Sequence, residues 1–408
     1  MEQISVEEAK ALWRQAVEKR PRVTETIDLM AARGRVLAQE VKAPFDVPAF
    51  NKSAMDGYAV RYEEGRTDYT IVGLIGAGLV WDKPVDKGQA VRIMTGAAVP
   101  ADCDTVIMQE GVETTGQVGD SMHVKGAVTA GQHVIGRAEE CKEGTPLLAP
   151  GILIDSAVQS VLAGLGLNEV QVYAPLKALL LTSGREVVEP GQALGPGQIY
   201  NSNRFLLEGL LRDQGIEHIS HYHVSDDPEL LEQEVQNVVN MAQDVDLIVS
   251  TGGVSVGLFD SMPHIYQALG AQVLYHRISM RPGAASYGAV TPKGLLIFGL
   301  SGNPVAAYNG FQLLAKEALQ LARGGQAKAE EAILCVSDCD FTKKNPLDRY
   351  VQGRVYSQEG TLHFTLSDSM SSSAMVSLAT VNALAYVPQG TKGVKTGDLI
   401  RVFLTKAL

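Results

Sequence analysis

Apolar and polar positions change their spacing along this chain, and each change marks an element or a domain. At the start, Ser5 and Glu8 stand three apart as a capping box, and Ala9, Leu12, Trp13 and Val17 follow at helical spacing. From residue 44 to 140 the chain turns to Pro44, Pro48, frequent glycine and short β-branched runs, YTIVGLI at 69–75 and AVRIMTG at 90–96, which predict a small β-rich domain. Helical period returns in GILIDSAVQSVLAGLGL at 151–167. Residues 1–43 and 141–172 therefore read as one helical linking layer, with 44–140 inserted into it. Across 173–325, strand-like runs (KALLLT, EHISHYHV, DLIVSTGG, QVLYHRIS, GLLIFGL) alternate with helical ones (RFLLEGLLRDQ, DPELLEQEVQNVVNMA, SMPHIYQALG, PVAAYNGFQLLAKEAL), the pattern of an α/β domain around a mostly parallel sheet. Residues 326–408 are short strands with turns at Gly360, Gly390 and Gly397, a small barrel-like β domain. The expected fold class is multidomain α/β plus β.

Composition agrees and excludes other classes. At 408 residues, with 45% hydrophobic and 20% charged residues, the chain is a folded globular protein too long for one ordinary core. The net charge of -11 argues against a groove that tracks nucleic-acid phosphates. An anionic ligand then needs a local basic island, which screening over about 8 Å permits. No run of 18 uncharged apolar residues and no basic-then-apolar leader stands out, so no membrane association and a cytoplasmic location are expected. The 4 cysteines are too few for a disulfide framework. Cys335 and Cys339 are placed on one strand face, short of the four convergent ligands a zinc site takes. Of His218, His221 and His223, only the last two share a strand face, the pattern of a half-exposed strand rather than a metal triad.

Candidate chemistry gathers where strands of the α/β domain meet helix N-termini. One loop runs Thr182-Ser183-Gly184-Arg185-Glu186. A second, from Ser250 to Gly257, carries Gly252, Gly253, Ser255 and Gly257, whose backbone can approach a phosphate closely. In the third, Ser301-Gly302-Asn303-Pro304, Asn303 can cap and Pro304 can take the first helical position, leaving N–H groups for an anion. Each loop alone also fits a plain tight turn. No Lys-Ser/Thr follows the glycines and no G-x-G-x-x-G fingerprint occurs, which disfavours ATP hydrolysis and NAD chemistry. No G-x-S-x-G elbow is present either. Glu186, Asp226 and Asp260 accompany the loops and suit Mg2+, although Asp226 fits equally well as the cap before Pro228. Arg277 and Arg281 are read as leaving one strand four residues apart on the same face, supplying positive charge.

SAMDGYAV, RIMTGAAVP, GQIYNSNR, TGGVSVG followed by Asp260, RPG and GLSGNP occur in this order. In these motifs the chain resembles the molybdopterin molybdenumtransferase family, to which the catalytic domain of gephyrin also belongs. The resemblance implies insertion of molybdate into adenylylated molybdopterin, with Mg2+-dependent release of AMP, by a homodimer of four-domain subunits. Functional positions of the family fall on Asp56, Thr95, Glu186, Asp226, Asp260, Arg277 and Arg281, and, by a looser match, on Arg354 and Ser372. The resemblance also implies clefts shared between the α/β domain of one subunit and the SAMDGYAV loop of the other, with a molybdopterin adenylyltransferase as substrate donor. Two departures stand out: Ala284 replaces a lysine of the family's K-P-G-K-P, and Ser301 replaces the first proline of G-L-P-G-N-P. A pterin adenylyltransferase or pyrophosphate hydrolase, and a non-enzymatic pterin-binding scaffold, are the competing readings.

Overall fold

A computed structural model describes residues 3–253, 261–326, 332–342, 345–367 and 371–406. The chain divides into two compact units, Met1–Ala38, Pro150–Gln159 and Glu169–Leu408 in one, Gln39–Ala149 and Ser160–Asn168 in the other.

In the first unit, six strands form a sheet in the order His218–Val224, Lys177–Ser183, Leu247–Thr251, Leu296–Leu300, Tyr287–Val290, Gln272–Tyr275. The first four run parallel, and the last two join antiparallel. Alternate side chains of each buried strand face opposite layers. Ala178, Leu180, Val249 and Phe298 belong to one apolar cluster, and Leu179, Leu181, Ile248 and Ile297 to another. Lys177–Ser183, first in sequence of the four parallel strands, lies between the second and third, so strand order reverses beside it and opens a crevice at its carboxyl end.

The N-terminal helix Val6–Glu18 has the expected capping box, with Ser5 N–H donating to Glu8 Oε2 at 2.7 Å and Glu8 N–H to Ser5 Oγ at 3.2 Å. Its apolar face packs on the α/β core: Trp13 stacks on Phe298 at 4.2 Å, and its indole N–H donates to buried Tyr275 Oη at 3.1 Å. The helix expected at 151–167 spans Ser156–Gly164, and the strands Thr24–Asp28 and Glu169–Tyr173, not anticipated, pair antiparallel.

Toward the C-terminus, five strands close into a barrel. Asp348–Gln358 pairs with Thr361–Leu366 and Ala383–Val387, and the ring is completed through Ile333–Ser337 and Leu399–Leu404. Gly353 is required there, because a Cβ would lie 2.2 Å from Thr365 O. Cys335 is buried in the barrel core while Cys339 lies past the end of its strand, so the two do not share a strand face. In the second unit a six-stranded sheet, ordered Thr105–Met108, Gly57–Val60, Gln89–Ile93, Asp68–Ile75, Ser121–Val124, Val112–Glu113, carries apolar clusters built on Ile71 and Ile107 and on Ile93 and Val106. Among the described residues no helix is long and apolar enough to cross a membrane.

Candidate active site

At the carboxyl ends of Lys177–Ser183 and Leu247–Thr251, a small cavity of about 80 Å³ is lined by Thr182, Ser183, Glu186, Asn203, Thr251 and Gly302, among others. The first loop turns at Gly184 (φ +129°), where glycine is the favoured residue, and carries the exposed Glu186. The carboxylate of Glu186 accepts no hydrogen bond and forms no ion pair with any described residue. The second loop presses its backbone on the first: a Cβ on Gly252 would stand 2.9 Å from Ser183 Oγ and 3.0 Å from Ser183 O. The third lies in ordinary contact with the second, since a Cβ on Gly302 would meet Gly252 Cα at 3.5 Å.

One amide holds the second and third loops together. Asn203 Nδ2 donates to Thr251 Oγ1 at 2.8 Å and to Gly302 O at 2.7 Å, while Thr251 Oγ1 donates to Ser301 O at 3.0 Å. Asn203 is 8% exposed, and its Oδ1 has no hydrogen-bond partner. Sequence reasoning assigned it no role. The available signal was an asparagine just inside a helix already capped by Asn201, a place where asparagine is otherwise disfavoured. Behind the cavity, Thr182 Oγ1 lies 3.0 Å from both His221 Nε2 and His223 Nδ1, so these two histidines do share a face. Asn201 donates to Glu189 Oε1 at 2.9 Å, and Arg204 to Glu189 Oε2 at 2.8 Å. Burial first, and Arg204 second, hold the His221 imidazole below its usual pKa.

The remaining predicted residues are distributed as follows. Ser255, Gly257 and Asp260 lie outside the described residues. Arg185 donates to Asp226 O at 2.8 Å, which ties the Asp226 segment to the first loop, and Ser261 Oγ donates to the neighbouring Ser225 O at 3.2 Å. The cap before Pro228 is Asp227, which accepts from Glu229 N–H at 3.1 Å, and not Asp226. Arg277 and Arg281 do not share a strand. The strand Gln272–Tyr275 ends before Arg277, the chain turns at buried Ile278, and Arg281 pairs instead beside Arg349 of the barrel. Burial and the nearby Arg281 together hold the Arg349 guanidinium below its ordinary pKa, and Arg349 Nε is buried without a partner.

The N–H groups expected to be free after Asn303 are also partly engaged, because Val305 N–H donates to Ser372 O at 3.0 Å. That bond sets Ser372 against the third loop. Arg354 is exposed on the barrel strand Asp348–Gln358. In the second unit, Asp56 Oδ1 accepts from both Thr95 N–H and Thr95 Oγ at 2.7 Å, and these bonds, with Arg92 nearby, hold its carboxyl below the usual range. Next to it Gly57 permits a contact no other residue could make, since a Cβ would lie 2.1 Å from Ile107 O. Among the described residues no three His, Cys, Asp or Glu side chains converge as a metal site.

Glycine loops converging at the switch point of a doubly wound sheet, with an unpaired carboxylate beside them, form the crevice at which open α/β proteins take their ligands. Comparison with known proteins gives the particular family. Residues 4–166 match the MoeA N-terminal region (domain I and II), 179–321 a probable molybdopterin binding domain, and 336–405 the MoeA C-terminal region (domain IV). A molybdopterin molybdenumtransferase of Staphylococcus epidermidis is 35% identical over 99% of this chain and 96% of its own, and that of Bacillus subtilis 35% over 94% and 90%. The crystal structure of the molybdopterin biosynthesis moeA protein from Pyrococcus horikoshii OT3 superposes with a TM-score of 0.81 at 25% identity, over 99% of this chain and 100% of that one. The chain belongs to the molybdopterin molybdenumtransferase family, a family of enzymes.

Proposed function

We propose that the protein acts in molybdenum cofactor biosynthesis by inserting molybdate into adenylylated molybdopterin, with Mg2+-dependent release of AMP. The single observation that carries this reading is the clasp of two loops by Asn203 beside the unpaired Glu186 carboxylate. A diphosphate-linked substrate needs backbone N–H groups at close range, and loops packed as tightly as Gly252 on Ser183 supply them without a side chain in the way. Glu186 and Asp226, with Asp260, are the residues to hold Mg2+. The hydroxyls and amides of Ser183, Thr251 and Asn203 add the hard oxygen atoms that this ion accepts directly or through water. Once bound, the metal would supply positive charge against the phosphate oxygens. For molybdate, Arg277 and Arg281 are the residues to supply the positive charge of the lysine replaced by Ala284, with Arg354 and Ser372 of the C-terminal domain as the alternative holders of the oxyanion.

Activity is assigned to a homodimer in which the SAMDGYAV loop of one subunit, whose Asp56 is hydrogen-bonded to Thr95, completes the cleft of the other, and a molybdopterin adenylyltransferase is the assigned donor of substrate. The test is incubation of the protein with adenylylated molybdopterin, molybdate and Mg2+. AMP and active cofactor should appear together and only when metal is present. Pterin bound without AMP release would point to a non-enzymatic binding protein instead.

A further inference from the structure

A second polar cavity lies at the other end of the same sheet. It measures about 390 Å³, and its lining includes Arg20, Arg22, Tyr173, Lys177, Asp246 and Lys293. Lys177 begins the strand that ends at Ser183, and Asp246 precedes the strand that ends at Thr251. At about 3.3 Å per residue, the length of a strand separates this cavity by roughly 20 Å from the loops described above. The lining is set in advance. Arg20, whose side chain is 10% exposed, donates to Gly294 O at 3.1 Å and pairs with Asp246. Tyr173 is held between the Arg22 guanidinium, 5.6 Å from its ring centroid, and Gly324, where a Cβ would meet the ring at 2.1 Å.

The charges do not balance. Four cationic side chains line the cavity against a single carboxylate. Both oxygens of that carboxylate are engaged, Oδ1 by Arg20 and Oδ2 by the backbone N–H of Lys177 at 2.8 Å. The ammonium groups of Lys177 and Lys293 and the Arg22 guanidinium have no carboxylate partner among the described residues. In a protein of net charge -11, such a concave basic island selects for a compact anion. Its volume falls in the range of about 300–1,000 Å³ usual for small-molecule pockets. Point charges on lysine together with an arginine suit a tetrahedral, multiply charged oxyanion better than a single carboxylate.

We propose that this cavity is a second anion site, separate from the cleft of the proposed reaction, and that it binds the phosphate group of a small phosphorylated ligand. The phosphate could belong to an inorganic diphosphate or to a nucleotide, and the experiment separates the two. The full chain is titrated calorimetrically with inorganic pyrophosphate and, separately, with AMP, at low and at moderate salt. Wild type is compared with Lys177→Gln/Lys293→Gln, exposed positions whose exchange leaves the core and the proposed reaction untouched. We expect a binding event that weakens about tenfold or more in the double variant and also weakens with salt, while melting temperature without ligand and AMP release from adenylylated molybdopterin stay at wild-type values. Equal affinity for the two probes assigns the site to inorganic phosphate groups, and tighter binding of AMP assigns it to a nucleotide. Binding of neither probe, or binding that the double variant leaves unchanged, overturns the proposal.

Discussion

Asn203 places a single buried amide between two loops, and its loss separates stability from chemistry in a measurable way. Asn203→Ala removes donors to Thr251 Oγ1 and Gly302 O at a site 8% exposed. An acceptor left unsatisfied in a buried place costs about 1–3 kcal/mol, so the denaturant midpoint should fall by a corresponding amount and AMP release should fall with it. Unchanged values for both would mean that the clasp does not set the loops. Glu186→Gln should behave differently. The carboxylate has no partner to lose, so stability should hold while metal-dependent AMP release disappears, and wild-type turnover would remove Glu186 from the metal role. At Arg281 the two effects have opposite signs. Its neighbour in the register is Arg349, already disfavoured as a cation by burial and by Arg281 itself. Arg281→Ala should therefore leave stability equal or higher. It should also raise the molybdate concentration for half-maximal insertion about tenfold to a hundredfold, the loss of one charge-assisted hydrogen bond of roughly 1.5–3 kcal/mol. Adding Ala284→Lys should recover part of that loss, and a molybdate titration unmoved by Arg281→Ala would place the oxyanion elsewhere.

Elements show which parts of this structure a sequence can reveal. Period alone located the alternating strands and helices of the α/β domain, because buried parallel strands are apolar on both faces while helices are not. Period also showed that the first helix buries one face, yet it carries no information about what covers that face. Trp13 meets Phe298 across almost three hundred residues of sequence, a contact no local pattern encodes. The arginine expectation failed for the same reason. Met280–Arg281 pairs with a barrel strand almost seventy residues further on, so a spacing of four described no shared face. The loops were legible through their glycines, and Asn203 was not, because one asparagine near a helix start reads as a cap. The pair of histidines on Thr182 adds a consequence at this scale. Thr182 Oγ1 has one proton to donate and two lone pairs, one of them taken by Asn201 Nδ2 at 3.3 Å, so of the two imidazole nitrogens beside it one accepts its proton and the other carries a proton and donates. His221, whose pKa is lowered by burial and Arg204 and is opposed by Glu189, favours its neutral form in the fold. A depressed histidine contributes stability that is fully present above its unfolded value near 6.5 and is lost as pH falls through the folded value. The denaturant midpoint should therefore drop as pH falls below about 6.5, and His221→Asn should flatten that slope. An identical slope in the variant would assign the titration to other groups.

On the scale of the whole molecule, the two units divide the predicted chemistry between them. Asp56 and Thr95 lie in one unit, whereas Glu186, Asp226 and Arg281 lie in the other. Asp56 is not idle within its own unit, since Thr95 holds its carboxylate through two hydrogen bonds. A purely local role as a turn lock would make Asp56→Ala a stability variant and nothing more. The proposed dimer makes it something else, a residue acting in the cleft of the partner subunit, and this can be tested by mixing. An Asp56→Ala chain and a Glu186→Gln chain should each be inactive alone. If every cleft takes Asp56 from one subunit and Glu186 from the other, a heterodimer contains one cleft with both substitutions and one with neither. Random exchange makes half the dimers mixed, so activity should recover to about a quarter of wild type in a closed two-fold assembly. If each cleft instead takes both residues from one chain, every cleft in the mixture keeps one defect and no activity returns. The measurement is AMP release after verified subunit exchange, with size-exclusion chromatography to show that both variants still dimerise. Failure to recover under those conditions would return Asp56 to its local bond with Thr95 and confine the reaction to a single chain.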